Sequence, residues 1–230
     1  MDAERIRLNI ANVRHRVSIA AEKVQRRPED VTLMAVSKTR SADEVRAAVA
    51  AGIRDLGENY LQEALDKREA AGDLGERWHF IGPIQSNKTR AIAGQFDWVH
   101  SVDREKIARR LNDQRPDALP PLDICLQVNV SMEDSKSGAA PGDLAALARA
   151  ILDMPRLRLR GLMAIPAATD DVAAQRAAFA RVALLFRDLR ETAPPMDTLS
   201  MGMSGDLESA IAEGATLVRI GTDIFGPRGG

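Results

Sequence analysis

Cysteine occurs once in the 230 residues, as Cys125. One thiol cannot close an intrachain disulfide or build a thiolate metal cluster, and its place in the apolar run LDICLQVNV marks a core residue. Histidine occurs three times, at His15, His79 and His100, spaced too widely in sequence to form a metal constellation. Each reads instead as a hydrogen-bonded core histidine. No apolar run is long enough to span a bilayer. The opening MDAERIRLNI has no apolar targeting core, so a cytoplasmic protein is expected. Charge of one sign is also missing: 32 basic against 33 acidic residues leave a formal net charge of −1. That balance argues against a nucleic-acid or membrane surface. Tyrosine is found only at Tyr60.

What is present is an alternation. Residues 2–26 carry Ile6, Ile10, Val13, Val17, Ala20 and Val24 at helical spacing, and Pro28 follows. Short apolar runs then occur at 31–37, 53–57, 78–82, 97–100, 122–130, 157–163, 197–200 and 216–220. Segments of helical composition lie between them, at 42–50, 58–71, 86–94, 103–113, 143–153, 170–192 and 205–213. Ser41 with Glu44 has the form of a capping box, and Asp103 and Thr169 are candidate N-caps. Runs without polar alternation imply strands buried on both faces, as in parallel sheets. Eight strand–helix units in this length predict one α/β domain over residues 1–230, a single (β/α)8 TIM barrel with an extra N-terminal helix. A doubly wound open sheet is the structural alternative.

In such barrels reactive residues lie at the C-terminal ends of strands. The first strand ends in Ser37-Lys38-Thr39, and a partly desolvated lysine there is a candidate nucleophile for a carbonyl. The second ends in Gly57-Glu58-Asn59-Tyr60, where Asn59 is placed to donate into the barrel mouth and Glu58 reads as a first-turn acid. Gln85, Asn87 and Lys88 after the third strand suggest an anion-facing rim. Lys136 and Ser137 after the fifth are candidates for a loop over the mouth. Strand seven runs into SMGMSGD and strand eight into Arg219-Ile220-Gly221-Thr222. Small residues at these two loops suit a phosphate, at the recurrent phosphate site of the fold. A lysine on strand one beside a phosphate cradle on strands seven and eight would be bridged by a ligand with both an aldehyde and a phosphate, which describes pyridoxal 5′-phosphate (PLP). Arg219 would then meet the pyridine nitrogen. It cannot accept a proton from it, so the ring would be a poor electron sink.

The segments LMAVSKT, GENYLQEA, WHFIGPIQSNK, LQVNVSMEDSKSG, GLMAIP and LSMGMSGDLESAIAEGATLVRIGTDIFG, in this order over nearly the whole chain, resemble the PLP homeostasis protein family. The resemblance implies a fold like the N-terminal domain of alanine racemase. It also implies Lys38 as the Schiff-base lysine, phosphate contacts from Ser204, Gly221 and Thr222, Arg219 near the ring nitrogen, and Asn59 and Met203 against the ring. It implies a role in balancing intracellular vitamin B6, by holding PLP and buffering or delivering it to apo PLP-dependent enzymes, without catalysis of its own. A racemase-like enzyme is the alternative. It needs a second acid/base opposite the substrate carbanion, and the chain is expected to lack the second domain that supplies one in alanine racemases. A third reading is a barrel that binds another phosphate, with Lys38 inert. The absence of a large apolar stripe outside the core faces points to a monomer.

Overall fold

A computed structural model describes residues 1–131 and 137–227. Eight parallel strands form a closed barrel in sequence order: β1 Thr32–Val36, β2 Asp55–Glu58, β3 Arg77–Phe80, β4 Trp98–Val102, β5 Leu122–Gln127, β6 Leu157–Met163, β7 Thr198–Ser200 and β8 Leu217–Ile220. Closure comes from β8 pairing with β1, with Met34 opposite Arg219. The open-sheet alternative is thereby excluded. The short runs at 53–57, 97–100 and 197–200 are all strands, buried nearly throughout.

The helices lie outside this barrel: α1 Ala3–Lys23, α2 Ala42–Ala50, α3 Leu61–Ala71, α4 Thr89–Gln95, α5 Glu105–Gln114, α6 Leu144–Leu152, α7 Val172–Thr192, α8 Leu207–Ala212 and α9 Thr222–Phe225. The capping box of Ser41 and Glu44 is present at α2. The other two expected caps are corrected. Asp171 caps α7 by accepting from Ala173 and Ala174, while Thr169 accepts from Asp171 N one turn earlier. Asp103 pairs with the side chain of Arg104 and caps nothing. In both cases the chain turns into the helix later than its composition suggests, so the nearer polar residue is left outside the first turn. The sequence gives no signal for the short α9 after β8. Its four residues are too few to show a period.

Packing divides into two regions. Most of the core lies between strands and helices, with Ile6, Ile10, Val13 and Val17 of α1 buried in it. A small separate cluster, Trp98, Cys125 and Met163, sits inside the barrel. Met34 of β1, level with Arg219, is buried apart from both clusters, and the polar side chains of His79, His100, Ser200 and Arg219 are buried as well. Gly161 on β6 is required by close approach: a Cβ there would lie 1.7 Å from the carbonyl oxygen of Thr198 on β7. His15 departs from expectation. It is exposed on α1, because it falls on the polar face of that helix.

Candidate functional site

The strand ends place Lys38, Asn59, Met203, Ser204, Arg219, Gly221 and Thr222 around one pocket of about 250 Å³, with Val36, Ile81, Ile165 and Gly205 completing its wall. Residues separated by up to the length of the barrel sequence meet there because closure sets β8 beside β1. The mouth is open: Ile165 and Met203 on its rim are 42% and 38% exposed.

Lys38 is half-buried, and its two peptide neighbours are pinned. Ser37 is buried; its carbonyl accepts from Lys67 Nζ at 2.6 Å and its hydroxyl donates to Glu58 Oε1 at 2.6 Å. On the other side Thr39, at φ 64°, donates its backbone N–H to Glu63. A β-branched residue in the left-handed region is strained, and the Glu63 carboxylate holds it there. Lys67 Nζ joins the two acids, at 2.5 Å from Glu58 and 2.9 Å from Glu63. Burial pushes the Glu58 carboxyl above its ordinary range, against the pull of Lys67 and Ser37. Glu58 is thus no first-turn helix acid. It is the last residue of β2 and wholly buried.

Asn59 lines the pocket next to this anchor, and its Oδ1 is buried with no hydrogen-bond partner among the described residues. Its backbone is wedged against Gly82, where a Cβ would come 2.1 Å from the Asn59 carbonyl oxygen. Opposite, the turn after β7 is tied by Asp206. Its carboxylate accepts from Met203 N at 2.6 Å, and its own N–H donates to the Met203 carbonyl at 3.2 Å. Ser204 Oγ accepts from Asp223 N at 3.3 Å, joining the loops after β7 and β8. Both loops are strapped from outside by Arg16 of α1, which donates to the Ser204 carbonyl at 3.0 Å and pairs with Glu208 and Asp223. Sequence reasoning missed Arg16. It stands among other arginines on a charged helix face, with nothing local to mark it.

Arg219 is the floor of the pocket. Its guanidinium donates from Nη1 to the Ser200 carbonyl (2.6 Å) and Oγ (2.8 Å), and from Nη2 to the Ala164 carbonyl (2.9 Å). Burial pushes its pKa down to about 10, with the Asp206 charge opposing, so it remains a cation at neutral pH.

The expected rim of Gln85, Asn87 and Lys88 is not part of the site. These residues are exposed, Gln85 just before and Asn87 and Lys88 on a 3₁₀ turn at Ser86–Lys88 that runs into α4, and none lines the pocket. Ser137 is exposed and its carbonyl accepts from Gln127; Lys136 lies outside the described residues. A larger cavity, about 390 Å³, opens at the other end of the barrel. Its charged groups pair among themselves, Arg77 with Asp55 and Arg160 with Asp123 and Asp197. It also lies at the N-terminal strand ends, where barrels of this kind carry stability rather than chemistry.

The alanine racemase N-terminal domain family matches residues 8–229. The pyridoxal phosphate homeostasis protein of Pseudomonas aeruginosa is 64% identical over 220 residues, which cover 96% of this chain and 94% of that one. PipY of Synechococcus elongatus, solved with PLP bound, superposes with a TM-score of 0.83 at 37% identity, over 96% of this chain and 100% of PipY. Alanine racemase from Streptomyces lavendulae shares the fold, with a TM-score of 0.74 at 20% identity, over 99% of this chain and 58% of the racemase.

Proposed function

We propose, from the premise that this chain belongs to the family of pyridoxal phosphate homeostasis proteins, that it binds PLP at the C-terminal mouth of its barrel and serves in balancing the cofactor. The observation that carries the reading is the meeting of Lys38, the orphaned Asn59 Oδ1, the donor-only Arg219 and the small residues of the β7 and β8 loops around one pocket. PLP has a partner for each: an aldehyde, a phenolic O–H to donate to the Asn59 oxygen, a ring nitrogen and a phosphate. Bound there, PLP would supply an aldehyde carbon able to take up an amine with loss of water.

Lys38 is the amine in this reading, presented by a peptide that Lys67 and Glu63 hold in place. Ser204, Gly221 and Thr222 take the phosphate through backbone N–H groups and hydroxyls. Met203 and Asn59 flank the ring. Arg219 donates toward the ring nitrogen and keeps it free of a proton, because a guanidinium accepts none. A bare ring nitrogen makes a weak electron sink, which suits a carrier better than a racemase. Tyr60, the tyrosine of the chain, is 59% exposed and does not line the pocket, so it is not placed as the second base that racemisation needs.

The open mouth supports release of PLP to apo-enzymes. No helix among the described residues is long and apolar enough to cross a membrane; a cytoplasmic monomer is the reading carried over from the sequence.

The test is absorbance with added PLP, then borohydride reduction and peptide mass mapping. Reduced PLP is expected on Lys38. Lys38→Ala is expected to lose the imine band while retaining weaker, reversible binding through the phosphate loops. Absence of both band and adduct in the unaltered protein refutes the reading.

A further inference from the structure

The hydrogen bonds under Arg219 continue through the barrel. Ser200 Oγ, which accepts from Arg219, lies 2.9 Å from His100 Nδ1. His100 Nε2 lies 2.9 Å from His79 Nδ1, and His79 Nε2 lies 2.9 Å from Asp55 Oδ1. Trp98 packs against both imidazoles, stacked on His79 at 5.4 Å and tilted on His100 at 5.6 Å. Asp55 is at the opposite end of the barrel, on the 390 Å³ cavity.

The two ends of this chain fix the direction of everything between them. A guanidinium only donates and a carboxylate only accepts. Burial holds both imidazoles below their ordinary pKa, His100 well below, so both are neutral. At Asp55 burial acts to raise the pKa, but hydrogen bonds from His79 and Arg77 outweigh it and the group stays ionised. Arg219 therefore donates to Ser200, Ser200 to His100 Nδ1, His100 Nε2–H to His79 Nδ1, and His79 Nε2–H to Asp55. Both rings must be the Nε2–H tautomer; either one reversed sets two protons, or none, between neighbouring atoms.

We infer that this one-way chain orients the guanidinium of Arg219 toward the ring-nitrogen side of the pocket, and that His79 and His100 are positioning residues acting through Ser200. Three of the five guanidinium N–H groups are held by Ser200 and Ala164, and the remainder are left for the pocket that Arg219 lines. The upper end of the inference rests on the PLP reading; the histidine assignment does not.

Imidazole ¹⁵N spectra of the PLP-free protein come first. Both His79 and His100 are expected in the Nε2–H form without titration through neutral pH, and any other tautomer overturns the inference. Asp55→Ala then removes the acceptor and lets solvent from the cavity take either role at His79. Both rings are expected to populate the second tautomer, and bound PLP to leave about fivefold faster, the worth of one hydrogen bond, with a shifted absorbance band. Asp197→Asn alters the same cavity at a residue outside the chain, so it is expected to change neither spectrum. Unchanged tautomers or unchanged PLP release in Asp55→Ala, or an equal effect in Asp197→Asn, overturns the coupling. A wild type that takes up no PLP sinks the cofactor reading and the ring-orienting role together, while the tautomer result still stands on its own.

Discussion

Replacing Lys67 with methionine tests the anchor beneath Lys38. The Lys67 and Glu58 side chains are 3% and 0% exposed, and Glu58 Oε2 already lacks a partner among the described residues. Removing one member of a buried pair leaves the other charge uncompensated, at about 3–5 kcal/mol. The loss must depend on pH. Burial already raises the Glu58 pKa in the folded state. A carboxyl raised above its unfolded value contributes stability that is present below the unfolded pKa and lost as pH rises through the folded one. Without Lys67 the folded value rises further. The gap between wild type and Lys67→Met is therefore expected to widen from pH 5 to pH 8, by at most about 1.4 kcal/mol per pH unit. Urea unfolding at both pH values measures it. Glu58→Gln combined with Lys67→Met removes both charges and is expected to be less destabilised than the sum of the single variants. A gap that does not change with pH, together with strict additivity, refutes the pairing argument.

Gly82→Ala is expected to destabilise by about 1–3 kcal/mol and to weaken PLP binding, because its Cβ would sit 2.1 Å from the Asn59 carbonyl oxygen and must push that pocket residue aside. Gly142→Ala, with nothing within 4 Å of the added carbon, is the control expected to be silent in both assays. Acid is expected to weaken the fold from about pH 6.5 downward, because unfolded histidine takes up protons there while buried His100 and His79 resist. His100 alone sets a slope of about 1.4 kcal/mol per unit, and urea midpoints that stay level between pH 7 and pH 5 would contradict it.

Much of this was legible in the sequence, for identifiable reasons. Strands buried on both faces leave apolar runs such as TLMAV and LVRI, so the barrel and its order could be read locally. Lys38, Ser204 and Thr222 could be singled out because the fold places chemistry at strand ends, and a strand end is visible as the point where an apolar run stops. What was hidden depends on distance through space. His79, His100 and Ser200 each look like an isolated polar residue on a strand, and only the barrel stacks them. Glu58 resembles a helix-start acid until Lys67, nine residues later, folds back over it. Helix caps failed at Asp103 and Thr169 because one or two residues decide a cap, and composition does not resolve that.

The strap from Arg16 to Ser204 joins residues 188 positions apart, and β1 closes on β8. During synthesis Lys38 therefore emerges long before the loops after β7 and β8 that share its pocket. A nascent chain with Lys38 already outside the ribosome has no pocket, since the loops after β7 and β8 and the helix turn that Asp223 belongs to are still unmade. In the PLP reading proposed above, capture of the cofactor would report on completed translation, since only a chain whose first helix has found its last loops has the whole pocket.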